Sequence, residues 1–256
     1  MMQHEYTVYI DDLDIGFYGM RLSSYEIPSY AKRKNVGTDI PGAHGTQSAP
    51  SALASGTFTA TVVCEGDSVE AVNQQIREFF AFMYSTLSPH KIVFSDDAGI
   101  VRHAILDSPN NYRVIDGVDN AFAEIKLTFF MMDPFMYNNE LSVFMSTVSS
   151  GVETILRNEA FECPAVFALE NNGSQAVSGL ALIVNNELST FSCVLEPGDV
   201  LELDTVEYEV RLNGVVNLEL WRGEMPKLKN GLNSIYQRNT LQKNLKLTVS
   251  FTKQWI

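Results

Sequence analysis

The sequence has little that would support catalysis, metal binding or nucleic-acid binding. It has three cysteines (Cys64, Cys163 and Cys193) at wide spacings and no CxxC pair, so neither a disulfide framework nor a zinc site is indicated. Cys64 and Cys193 sit in apolar, strand-like runs and read as small core residues of a chain folded in a reducing cytoplasm. No run of eighteen apolar residues occurs, which leaves no helix able to span a membrane. The polar start of the chain has no basic segment followed by an apolar one, so no signal peptide is expected. GxSxG, GxxxxGK[ST] and HExxH are all missing.

The four histidines, His4, His44, His90 and His103, all fall in the first half and none is spaced as a ligand pair. Each reads as a surface or strand residue, with His44 set among glycines where it can meet a partner. Asp11, Asp12 and Asp14 resemble a calcium loop only superficially. The glycine at the sixth position and the glutamate at the twelfth are not in place, so a solvated turn is the expectation. No catalytic residue, metal site or cofactor is assigned. A pair of carboxylates for sugar hydrolysis is set by space, not by spacing, and 31 acidic residues always offer pairs.

Basic charge is also scarce. Residues 1–139 carry 9 Lys and Arg against 17 Asp and Glu, and residues 140–256 carry 9 against 14, for a net charge of −13. An acidic surface repels nucleic acid over about 8 Å, the Debye length at physiological salt. Specific binding to DNA or RNA is therefore not expected, although DNA could pass such a surface without adhering.

Strand signals are plentiful. Tyr6, Val8 and Ile10 alternate with polar residues. So do Phe58, Ala60 and Val62, and likewise Ala123, Ile125, Leu127 and Phe129. One helix stands out over 68–86, with Asp67 as N-cap, Glu70 as its capping-box partner, and Val69, Val72, Ile76, Phe79, Phe80 and Met83 on one face. A hairpin follows over 92–106, then strands over 112–115 and 118–130. The first half, 1–139, reads as an α+β domain of antiparallel strands with one principal helix. Phe129, Phe130, Phe135 and Tyr137 read as aromatics that pack its core and close the domain junction.

Residues 30–56 are poor in large apolar groups and rich in Gly, Pro and Ser. A structureless loop of this length is uncommon in a compact domain. The expectation is an extended arm ordered against a neighbour, or disorder. Beyond Pro134 and the asparagines at 138 and 139 the chain is almost wholly β. Asn213 and Gly214 form the dipeptide that a type I′ hairpin turn requires, Asn185 and Asn186 separate two further strands, and Leu245, Leu247, Val249 and Phe251 alternate near the end. Residues 140–256 read as a β-sandwich.

These features in this order resemble the distal tail proteins (Dit) of siphophages. The resemblance rests on Phe17-Tyr18-Gly19, on an arm containing Gly37, Ile40, Pro41, Gly42, His44 and Gly45, and on the strand and helix over 55–86. The hairpin over 91–106 and the closing Asp133-Pro134-Phe135-Met136-Tyr137 extend it through the first half. In the second half, Trp221, Gly223 and Pro226 followed by Gly231 and Asn233 match a further family-like element. The resemblance implies a mainly β structural protein of the virion tail tip, made in the bacterial host cytoplasm. It implies a homohexameric ring built by the N-terminal domain, with the arm clasping the next subunit and a central channel for DNA. It also implies a galectin-like C-terminal sandwich outside the ring. The implied partners are the tail tube protein, the tail-tip hub or tail-associated lysin protein, and receptor-binding proteins. The alternative, a carbohydrate-binding module for host-surface saccharide, lacks the galectin His-Asn-Arg set, because the second half has no histidine.

Overall fold

A computed structural model describes residues 6–27, 33–34, 37–39, 46–48, 52–109, 112–117 and 120–256. The chain divides into two compact units, residues 1–139 with Ile256, and residues 140–255.

The first unit begins with β1 (Val8–Ile10), β2 (Leu13–Asp14) and β3 (Met20–Glu26). Four short strands follow: β4 (Arg33–Lys34), β5 (Gly37–Asp39), β6 (Thr46–Ser48) and β7 (Ala52–Leu53). Then come β8 (Gly56–Gly66), α1 (Val69–Met83), β9 (His90–Phe94) and β10 (Ile100–Pro109). β11 (Val114–Asp116), β12 (Ala121–Met131) and β13 (Met136–Asn138) complete it.

Its antiparallel sheet runs β2-β1-β9-β10-β12-β8-β3, with β11 beside β12 and β13 beside β10. The longest ladder joins β12 to β8 without a break, from Ala121 opposite Gly66 to Met131 opposite Gly56. Strict alternation along both strands puts Phe58, Ala60, Val62 and Cys64 in the core together with Ala123, Ile125, Leu127 and Phe129. Phe58 stacks on Phe129 at 4.9 Å and meets Phe94 edge-on at 6.1 Å. α1 covers this layer through Val72, Ile76, Phe79 and Met83, spaced four, three and four apart.

The helix start differs from the sequence expectation. Ser68, not Asp67, is the N-cap, and its hydroxyl accepts from the Ala71 amide at 3.2 Å. Either residue can cap. The choice falls to the last residue with extended backbone before the first helical turn, here Ser68 at φ −154°. The helix also stops at Met83, three residues short of Thr86. The β1–β2 turn is Asp11 and Asp12 at φ 50° and 65°, the left-handed pair that a two-residue hairpin needs.

The second unit is a β-sandwich. Its strands are β14 (Ser142–Val148), β15 (Thr154–Asn158), β16 (Val166–Glu170), β17 (Leu180–Val184), β18 (Glu187–Phe191) and β19 (Val200–Asp204). They are followed by β20 (Glu209–Leu212), β21 (Val215–Val216), β22 (Trp221–Gly223), β23 (Gly231–Arg238) and β24 (Leu245–Phe251). One sheet is ordered β14-β24-β16-β19-β20-β21 and the other β15-β23-β17-β18-β22. Inward residues of both sheets, among them Phe167, Leu182, Leu203, Ile235 and Val249, form one core. The turns at Asn185-Asn186 and Asn213-Gly214 carry the positive φ values of type I′ hairpins. The strand after the Asn213-Gly214 turn ends at Val216. Asn217 accepts from the Glu219 amide at 3.0 Å and turns the chain into a 3-10 helix over Leu218–Leu220.

Candidate functional site

The arm begins where β3 ends. β3 and β8 are antiparallel neighbours, with Glu26 opposite Thr59, so residues 27–55 are an insertion at the tip of a hairpin whose base lies in the main sheet. Tyr25 fixes that base. Its ring stacks on Phe94 at 4.1 Å and its hydroxyl donates to Asp96 at 2.8 Å. Burial, followed by the neighbouring Asp96, pushes its hydroxyl pKa up to about 12, so it remains a donor. Ile27 packs on the core.

Beyond the base, β4 pairs with β7 and β5 with β6, giving two nested antiparallel ladders of two and three residue pairs. Among the described residues, these four strands form ladders only with one another. The sequence expectation here is an extended arm or disorder, and the described residues of the stretch pair as these two short ladders. Gly37 lies in β5, opposite Ser48. Ile40, Pro41, Gly42, His44 and Gly45 lie outside the described residues.

The closing motif of the first unit is a local brace. Asp133 accepts from the Phe135 amide at 3.1 Å and from the Tyr137 hydroxyl. Tyr137 sits on β13 opposite Val101 and meets the His103 ring edge-on, and its hydroxyl pKa is raised by burial and by Asp133. Pro134 lies in the turn between β12 and β13. Phe129 belongs to the core, whereas Phe130 and Phe135 are half-buried.

The motif of the second unit is a brace around one buried side chain. Asn233 is fully buried on β23. Its oxygen accepts from Asn185 Nδ2 and from the Lys229 amide, both at 2.7 Å. Its nitrogen donates to the carbonyls of Lys229 at 2.9 Å and Gly231 at 3.2 Å. It therefore ties the Asn185-Asn186 turn to the segment that carries Pro226, which is buried. Gly223 pairs with Ser189 at φ 128°. A Cβ there would lie 2.1 Å from the Leu188 carbonyl oxygen, so only glycine fits. Trp221, half-buried, packs against the sandwich core.

The titratable side chains have structural partners. His90 is buried on β9, with Nδ1 2.6 Å from Asp11 and Nε2 donating to the Met83 carbonyl at 3.0 Å, so it links the β1–β2 turn to the end of α1. His4 and His44 lie outside the described residues. Asp14 accepts from Thr7 and from the Gly16 amide. Among the described residues, no three His, Cys, Asp or Glu side chains are grouped to hold a metal. All three cysteines are buried, and burial pushes the Cys64 and Cys163 thiols up to about 11. Ellman's reagent at pH 8 is expected to find no reactive thiol in native protein and three after guanidinium denaturation. An open polar cleft of about 400 Å³ is lined by residues 171–175 and 242–244. It contains amides, one serine and one lysine, with no aromatic on which a sugar ring could stack.

Comparison with known proteins agrees with this architecture. Residues 20–131, from the first residue of β3 to the last of β12, match the phage tail protein RIFT-related domain. A search of curated protein sequences gives no match. Among solved structures, the chain is similar to the Dit protein of phage SPP1, described as a paradigm of the hub adsorption apparatus in phages infecting Gram-positive hosts. The TM-score is 0.80 at 15% identity, covering 98% of this chain and 99% of that one. It is also similar to a chain of the phage P2 baseplate in its activated conformation with Ca, with a TM-score of 0.50 at 11% identity, covering 97% and 98% of the two chains. The same baseplate with Sr gives a TM-score of 0.50 at 11% identity, covering 96% and 97%. Residues 20–131 therefore match a phage tail protein RIFT-related domain, and the chain shares, over nearly its whole length, the fold of the SPP1 Dit protein.

Proposed function

We propose that this chain is a structural adaptor of a phage tail tip that acts by assembly and not by catalysis. Residues 1–139 form a homohexameric ring, the arm over 30–56 clasps the next subunit, and residues 140–256 present a peripheral docking surface. The ring joins the tail tube protein to the tail-tip hub or tail-associated lysin protein, leaves a central channel for DNA, and holds receptor-binding proteins.

The arm carries this reading. Among the described residues the arm is held by two-stranded ladders of two and three residue pairs, and a two-stranded hairpin alone is marginal in water. Cover from a neighbouring subunit supplies what the hairpin lacks, and a head-to-tail contact that closes on itself makes a ring. The net charge of −13 fits a channel that DNA traverses without adhering. A basic lumen in an electrostatic map of the assembled ring would contradict that part. Deleting residues 37–50 is expected to convert the hexamer to smaller species by light scattering. A deletion variant that still runs as a hexamer would remove the arm from the account. The saccharide-binding alternative gains no specific support, since the open cleft of the sandwich lacks a stacking aromatic.

A further inference from the structure

The sandwich has four sheet edges, and three are protected against pairing with another chain. β21 is two residues long. β22 is three residues long and carries Arg222 and the positive-φ Gly223. β15 carries Arg157 and is flanked by Glu153 and Glu159. Short length, charge and irregular backbone are the usual means of keeping an edge unpaired. β14 has none of them. Its seven residues, Ser142–Val148, include no charge, proline or glycine, and its register with β24 is unbroken from Ser142 opposite Phe251 to Val148 opposite Leu245. Its outward row is uncharged and open to solvent, with Val143 53% and Met145 66% exposed, Thr147 also exposed, and Leu141 just before the strand 61% exposed.

We infer that β14 is a self-pairing edge, and that two copies of this chain join antiparallel about Met145 to make one continuous sheet from two sandwiches. Three properties select a second copy as the occupant. The first is parity. Residues directly opposite in an antiparallel ladder point to the same face. Pairing centred on a residue therefore brings outward side chains together, while pairing centred between residues sets outward against inward. Centring on Met145 engages the strand's full length, with Val143 facing Thr147, Phe144 facing Ser146 and Met145 facing its own counterpart. The second is charge. Copies with a net charge of −13 repel one another, and like charges opposite each other weaken a ladder, yet this strand contributes none. The third is apolar burial, because the exposed Met145 side chains cover each other and each Val143 is covered by the Thr147 methyl group of the other copy. The contact is isologous and lies within residues 140–255.

A cysteine cross-link in the full chain tests this. The native cysteines are buried, so an introduced one reacts alone. Opposite residues in an antiparallel ladder have Cα atoms about 4.5–5.5 Å apart, within disulfide range. Met145→Cys is expected to run mainly at twice the chain mass on a denaturing, non-reducing gel after mild oxidation. Val215→Cys, 69% exposed on the opposite edge of the same sheet, is expected to stay at one chain mass. Met145→Lys, which sets two ammonium groups against each other, is expected to halve the largest species seen by sedimentation while leaving the unfolding midpoint unchanged. The proposal is overturned if Met145→Cys stays at one chain mass, if Val215→Cys cross-links equally, or if Met145→Lys leaves the assembly size unaltered. A foreign strand occupying this edge would give the first of those results.

Discussion

Asn233→Ala is expected to destabilise the sandwich by about 3 kcal/mol, a large effect for removing one amide. The side chain makes two bonds through its oxygen and two through its nitrogen, in a site sealed from water. Alanine leaves the Lys229 amide and the carbonyls of Lys229 and Gly231 without these partners, and an unsatisfied buried group costs more than the bond it once made contributes. Asn185 loses one of its bonds as well, which loosens a turn held at two positive φ values. Trp221 packs against the sandwich core, so its fluorescence in a urea titration, read in a Trp255→Phe background, follows this unit. The midpoint is expected to fall at unchanged slope. Asn233→Asp distinguishes hydrogen bonding from volume. The shape is kept and the oxygen still accepts, but a second acceptor faces two carbonyls, so the loss is expected to be as large or larger.

Phe58→Ala should be comparably damaging in the first unit, at about 3–5 kcal/mol. Phe58 is fully buried in the β8–β12 ladder, opposite Phe129 and stacked on it, and in contact with Phe94. Its loss opens a cavity that neighbours on three strands cannot fill without breaking the sheet register. The effect is expected to reach assembly, because β8 is one of the two strands from which the arm springs. Thermal unfolding followed by circular dichroism is expected to show one transition lowered by about 10–20 °C, together with loss of the ring. The tryptophan-reported transition of the sandwich should stay in place, because the two units have separate cores.

These two residues also illustrate what a sequence discloses. Phe58 was legible, because the alternation of Phe58, Ala60 and Val62 with threonines specifies a half-buried strand before any coordinates exist. The turns at Asn185-Asn186 and Asn213-Gly214 were legible for a similar reason, since few residues accept positive φ. The role of Asn233 was not. Its partners come from residue 185 and residues 229–231, and only folding brings them to one point. The short ladders of the 30–56 stretch were not legible, because strands of two and three residues are too short for a period-two pattern to mark them. Asp11 and Asp12 read as a solvated turn and form an exposed two-residue one, but the grip of the Asp11 carboxylate on His90 and the Lys91 amide was not legible. A protein that works by assembly carries its function on edges and arms, and the residues there need be neither acidic, basic nor nucleophilic.

The most direct test of the account is the mass of the intact assembly under native electrospray at micromolar concentration. The account predicts species at whole multiples of six copies of the 28.5 kDa chain. Monomers alone, or a closed assembly whose copy number is not a multiple of six, would contradict it.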